Sequence, residues 1–173
     1  MLQPWYEQMD ESGETPITRV AKCGFRELAE LMLSQERRER GQEKVKRSRL
    51  STAAYWGLGN VVQDLLDEGV NPDEPDAFGD LPLHRASRNG HRETLETLLA
   101  HGADVNRRNR DGMTALHWVA MNGREDLAKL LLEGGADANA LERFTGRLTP
   151  TAIAMLLGYD ELAELMIAHG GTC

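Results

Sequence analysis

At 173 residues the chain is long enough for one compact domain, or one short array, with a continuous core. Hydrophobic residues at 40% and charged residues at 28% are ordinary for a globular chain, and a net charge of -8 argues against a general nucleic-acid or membrane binder. Two cysteines, Cys23 and Cys173, supply neither a disulfide framework nor a metal cluster and suit a reducing compartment.

Residues 1–9 read as a leader. They lack a basic start and an apolar run, so no signal peptide is expected, and nowhere does the chain approach the ~18 apolar residues of a membrane span. From there on the chain is periodic. Gly24, Gly57, Gly90 and Gly123 follow one another at steps of 33, and Gly158 follows after 35. Gly69, Gly102, Gly135 and Gly170 keep the same rhythm. A period of this length marks an array whose units bury their apolar faces only against their neighbours.

In chain order, Asp10–Ser34 holds Gly13, Thr15-Pro16 and Gly24, then apolar residues at helical spacing at Leu28, Leu31 and Met32. Residues 35–48 read as a basic, irregular loop. Over Gln35–Arg49, QERRERGQEKVKRSR, seven basic residues face three acidic, a local +4. Arg49–Asp73 pairs Ala53-Ala54, small enough for close helix approach, with Val61, Val62, Leu65 and Leu66. Residues 76–106 and 109–139 are the most regular units. Pro82 suits a first helical turn, Gly90 and Gly123 sit where positive φ would end a helix, and Leu95, Leu98, Leu99 and Leu127, Leu130, Leu131 mark second helices. Phe78-Gly79-Asp80 and Asp111-Gly112 suit tight turns. Residues 143–170 repeat the plan with Pro150 and Leu162, Leu165, Met166, after two extra residues around Leu141–Thr145.

Asp76–Asn106 reads DAFGDLPLHRASRNGHRETLETLLAHGADVN, and Asn109–Asn139 reads NRDGMTALHWVAMNGREDLAKLLLEGGADAN. Both resemble the ankyrin repeat, with its G-x-T-P-L-H-x-A-A-x-x-G run, apolar helix and closing G-A-x-x-N. The resemblance implies an all-α solenoid of about five helix-turn-helix-hairpin units at 10–34, 49–73, 76–106, 109–139 and 143–170. The outer units are degenerate: Thr18 and Ala152 replace the motif's histidine, and the second unit lacks the Thr-Pro-Leu-His element.

The residues offer no reaction chemistry. His84 and His117 stand at the motif's histidine position, where the resemblance implies hydrogen bonds to hairpin backbone. His91, His101 and His169 read as surface positions. The five recur one per unit without converging, and no cysteine completes a zinc set. No acid pair or phosphate-cradling loop is placed by a motif, and Cys23 beside Lys22 reads as a tolerated small residue. Neither a metal nor a cofactor is expected, and the chain is read as a non-enzyme.

The resemblance implies partner binding through the outward positions of each first helix, on the concave side, and through the hairpin tips. Carried over by position, these are Arg19, Lys22 and Cys23; Thr52, Tyr55 and Trp56; Arg85, Arg88 and Asn89; Trp118, Met121 and Asn122; and Ile153, Leu156 and Leu157. Tyr, Trp, Arg and Met are enriched where partners bind, which singles out Tyr55, Trp56, Arg85, Arg88, Asn89, Trp118, Met121 and Asn122. Two readings stand for Trp56 and Trp118, and likewise for Ile153 and Leu156: partner anchors, or packing within the array. Charge adds orientation. Asp64–Asp80 holds seven acidic residues without Lys or Arg, and Arg107, Arg108 and Arg110 form a basic tip.

The expected function is a monomeric, cytoplasmic adaptor, scaffold or inhibitor for a protein partner. The alternatives are a nuclear transcriptional cofactor that uses Gln35–Arg49 for import, and a regulator similar to ankyrin inhibitors of cyclin-dependent kinases. The basic run equally suits a loop controlled by phosphorylation at Ser48.

Overall fold

The structure is a computed structural model that describes residues 43–143 and 148–172. The leader, the unit at 10–34 with Arg19, Lys22 and Cys23, and the run 35–42 lie outside the described residues. The described residues form four helix pairs: α1 (Glu43–Trp56) with α2 (Gly59–Asp67), α3 (Pro82–Asn89) with α4 (Arg92–Ala100), α5 (Ala115–Met121) with α6 (Glu125–Glu133), and α7 (Pro150–Leu156) with α8 (Asp160–Ala168).

Each later pair begins where the backbone is extended just before the first helix, at Leu81, Thr114 and Thr149. Pro82 and Pro150 open α3 and α7, where an absent N–H costs nothing. The turn between the helices of a pair needs a left-handed residue, and Gly90 supplies it with φ 81°. The second helix then covers the first with a leucine stripe. Leu65, Leu95, Leu98, Leu127, Leu131 and Leu162 are all buried.

The pairs stack side by side. First helices α1, α3, α5 and α7 form an inner layer, each against the next, and the second helices form an outer layer. Small residues let the inner helices approach: Ala53, Ala54, Ala86, Ser87, Ala120 and Ala154 are fully enclosed. Between the layers runs one apolar core from Leu50 to Met166. Each unit also covers the turn glycine of the unit before it, with His91 over Gly57, Arg124 over Gly90 and Tyr159 over Gly123.

Between pairs the chain projects as hairpin fingers. In one, Asp76 N–H donates to the Asp80 carbonyl (2.8 Å); in the next, Asn109 N–H donates to the Met113 carbonyl (2.9 Å). The side chains of Asp76 and Asn109 tighten these tips by accepting backbone N–H groups, at Phe78 (2.9 Å) and Asp80 (3.1 Å) for the first, at Asp111 (3.0 Å) and Met113 (2.9 Å) for the second. Neighbouring fingers are joined too: Arg110 N–H donates to the Gly79 carbonyl (3.3 Å), and Arg143 N–H to that of Asp111 (3.1 Å).

Two expectations need correction. The irregular loop at 35–48 does not extend to its end, because α1 already begins at Glu43. Between Gly41 and Gly57 the chain holds no glycine or proline, and Glu43, Lys44, Lys46 and Arg47 are straight-chain residues with good helix propensity. The missing repeat ending and turn residues suggested a loop, but propensity decides. Arg49, at the end of the basic run, is buried in the array at 4% exposure. The second correction concerns His91, which is no simple surface residue: its ring lies on Gly57, and Nε2 is 2.9 Å from the Tyr55 carbonyl.

Gly90→Ala tests the turn geometry. The added methyl would meet only the far end of Arg124, a side chain that can move, so the cost is the left-handed backbone itself, about 1–2 kcal/mol. The urea midpoint should fall accordingly, with an unchanged slope; a midpoint equal to that of the parent would show that the turn tolerates an ordinary residue.

Candidate functional site

The inner helices place three stripes of side chains on one layer, and the stripes differ in fate. The first runs Thr52, Arg85, Trp118, Ile153. It is drawn inward: the first three are half-buried, and Ile153 is buried at 6% exposure. Ile153 is therefore a core residue, not an outward one; its branched apolar side chain belongs to the same cluster as Val119 and Leu162. The second stripe runs Tyr55, Arg88, Met121, Leu156, and apart from half-buried Tyr55 it faces solvent. The third runs Trp56, Asn89, Asn122, Leu157 and becomes more exposed along the array.

Arg85 is not free to meet a partner. Its Nε and Nη2 donate to Asp76 Oδ2 at 2.8 and 2.6 Å, and Nη2 lies 3.5 Å from Asp80 Oδ2. With both partners about as enclosed as itself, this is a hydrogen-bonded ion pair that binds the finger to α3. The guanidinium also lies 5.9 Å from the Tyr55 ring centre and 5.3 Å from that of Phe78. Arg88 differs. Its guanidinium rests 4.8 Å from the centre of the Trp118 ring, a cation–π contact across two units, while the side chain remains exposed.

Trp56 packs against the core and meets Tyr55 edge-on, ring centres 4.8 Å apart. Trp118 is half-buried, and its Nε1 is enclosed without a hydrogen-bond partner. Asn89 donates back to the Arg85 carbonyl (3.0 Å), whereas Asn122 donates to the carbonyls of Trp118 (2.9 Å) and Arg88 (3.2 Å), linking α5 to α3. Met121 is 43% exposed. The eight singled-out residues thus share one layer, but Arg85, Asn122 and Trp56 hold the array together, Asn89 bonds back within its own helix, and Arg88, Trp118, Met121 and Tyr55 offer surface.

Phe78 was missed by the sequence reading. It is 78% exposed at a finger tip, with the Arg85 guanidinium against its ring, 5.3 Å from the centre. The signal was an aromatic residue inside a turn otherwise made of Asp and Gly. Beside it lies a cleft of about 310 Å³ between two fingers, lined by Asp73, Asp76, Gly79, Arg107, Asn109 and Arg110. Its acids are already engaged: Asp76 by Arg85, and Asp73 by Asp104 N–H at 3.0 Å. Arg107, Arg108 and Arg110 are exposed and, with Asp76 paired to Arg85, outnumber Asp73, so the tip is cationic on balance.

The histidines are structural groups. Leu81 N–H donates to His84 Nδ1 (3.2 Å), and Thr114 N–H donates to His117 Nδ1 (3.0 Å), which satisfies the first free N–H ahead of α3 and α5. Burial lowers the His84 pKa to about 4, against the opposing pull of Asp80 and of backbone at Arg107 and Met113 in the next finger. Burial lowers that of His117 as well. His101 points the other way, raised by the Thr97 carbonyl and Asp67 at the end of α2. Among the described residues no cluster of His, Cys, Asp and Glu could hold a metal ion, and no helix is long and apolar enough to cross a membrane.

A family model described as ankyrin repeats in three copies matches residues 50–142 and, in an overlapping placement, residues 83–173. The two placements together span 50–173, from the second half of α1 through the other seven helices.

The buried neutral histidines make stability depend on pH with a definite sign. Folded His84 titrates below an ordinary histidine, so the unfolded chain binds the proton first as pH falls. Its contribution is intact above about pH 6.5 and is lost between there and about pH 4, worth ~3 kcal/mol for His84, with His117 adding in the same direction. Thermal melts from pH 7.5 to 4 should show that decline, and His84→Asn, which cannot be protonated, should flatten part of it. A melting midpoint independent of pH would contradict the assignment.

Proposed function

The chain belongs to the ankyrin-repeat family, a protein–protein interaction fold typically without catalysis, and from that premise we propose that it is an adaptor or inhibitor gripping a protein segment along the inner-helix stripe and finger tips. The observation that supports this most is the stacked Arg88–Trp118 pair with exposed Met121 beside it and Phe78 on the finger. Exposed Arg and aromatic groups of this kind carry most of the energy where proteins meet.

Charge supports the choice of face. On the outer helices α2, α4, α6 and α8, Asp and Glu outnumber Lys and Arg ten to two. The inner helices α3, α5 and α7 hold no acid at all. The adjoining finger adds exposed Arg107, Arg108 and Arg110. A partner segment carrying carboxylates would be steered to the inner face and repelled from the outer one. In this reading Arg88 takes a carboxylate or carbonyl, Trp118 and Met121 take an apolar side chain, and Phe78 closes over the segment. Cytoplasmic residence, suggested by the low cysteine content, is part of the proposal.

The test is capture of partners from lysate with the parent and with Arg88→Ala and Phe78→Ala, followed by direct titration of the partner found. Both residues are exposed, so melting should be unchanged. Each variant is expected to weaken binding about tenfold or more, the effect of losing an interface anchor. Full affinity in both variants would move the interface off this face.

A further inference from the structure

The last helix pair presents a face that the earlier pairs bury, with Leu99 alone left half-buried. Ala54, Ser87 and Ala120 occupy one position in successive units, and each is fully covered by the unit that follows. The same position in the last pair is Met155, 45% exposed. Leu66 and Leu132 are each 6% exposed, whereas their counterpart Ile167 is 44% exposed. Gly57, Gly90 and Gly123 are covered by a side chain of the next unit, but nothing lies within 4 Å of the space above Gly158. Leu156 and Leu157 extend this apolar surface at 74% and 51% exposure.

Two features decide what fits there. Met155 is bulky where the other units need Ala or Ser for close helix contact, so a further unit could not stack at the same distance without overpacking. Second, the rim is uniformly acidic. Glu125, Asp126 and Lys129 of α6 wall a cleft of about 630 Å³ whose other side is Glu161, Glu164 and Leu165 of α8. On α8 the same three positions are Asp160, Glu161 and Glu164, all exposed, and from Leu148 to Thr172 there is no Lys or Arg. Glu164 lies three residues from Ile167, so carboxylate and apolar surface adjoin on the helix.

We infer that this terminal face is a second docking surface, independent of the inner-helix stripe, and that it takes a single basic amphipathic helix from a protein partner. The apolar stripe of that helix covers Met155 and Ile167, and its flanking Lys or Arg side chains meet Asp160 and Glu164. One helix is slimmer than a whole unit and accommodates Met155. Basic flanks answer an edge that lacks any cation of its own.

A labelled peptide of about 18 residues, Leu and Lys patterned as an amphipathic helix, is long enough to serve as the probe. Anisotropy titrations at physiological salt should show saturable binding. Ile167→Lys and Met155→Lys, both at exposed sites, should each weaken it about tenfold without lowering the melting midpoint. Glu93→Gln, on α4, should leave it unchanged, and the same peptide with Glu in place of Lys should not bind. Equal loss in the Glu93 variant would reduce the effect to net charge and overturn the proposal, as would failure of the Lys peptide to bind. A concentration-dependent dimer in light scattering, abolished by Ile167→Lys, would assign the face to a second copy instead. Because these variants lie off the inner stripe, loss of the Arg88-dependent partner has no bearing on this result.

Discussion

A side-chain amide near the close of each unit ties that unit to the next. Asn106 accepts the Asp137 N–H at 2.7 Å and donates to the Gly135 carbonyl at 2.9 Å. Asn139 does the same with Thr172 N–H (2.7 Å) and the Gly170 carbonyl (2.8 Å). An amide offers an acceptor and a donor on one rigid plane, so a single residue fixes both distance and register between neighbours. Asp73 holds the equivalent place one unit earlier. It accepts the Asp104 N–H, but a carboxylate has nothing to donate, so that junction keeps one half of the clasp. The stacking of helices, the alignment of fingers and the continuity of the stripes all follow from this spacing.

The contrast between Arg85 and Arg88 shows how such a scaffold divides labour within one helix. Both are arginines on α3, less than a turn apart. Asp76 and Asp80 lie on the finger leading into that helix and engage Arg85, so its charge serves the fold. No acid occurs on the inner helices α3, α5 and α7, and among the described residues the Arg88 guanidinium rests on the Trp118 ring. A stacked guanidinium keeps its donors directed outward, already oriented, which reduces the ordering cost when it meets an acceptor.

The fold was legible in the sequence because its determinants are local. Glycine spacing marks the turns, proline the helix starts, and leucines three and four apart the buried faces. Properties that depend on a folded finger were not legible. That Asp76 would curl back nine residues later onto Arg85, or that the Phe78 side chain would stay outside while its backbone made a tight turn, is decided by hairpin geometry that residue type alone leaves open. His91 was misread for the same reason, since the Gly57 it covers belongs to another unit. At Glu43–Ser48 the missing Gly-Ala-x-x-Asn ending and turn residues suggested an irregular hairpin, although charged straight-chain residues are good helix formers. The face formed by Met155 and Ile167 became visible only when equivalent positions could be compared for burial.

Because each clasp reaches only from one unit to its neighbour, gene-level duplication or loss of an internal unit would remove one junction and recreate one like it, leaving the others undisturbed. Asn106 would meet the same backbone groups whichever copy followed. An evolving lineage can therefore alter the length of such a protein in whole steps, while residues such as Arg88 and Phe78 drift separately to suit new targets.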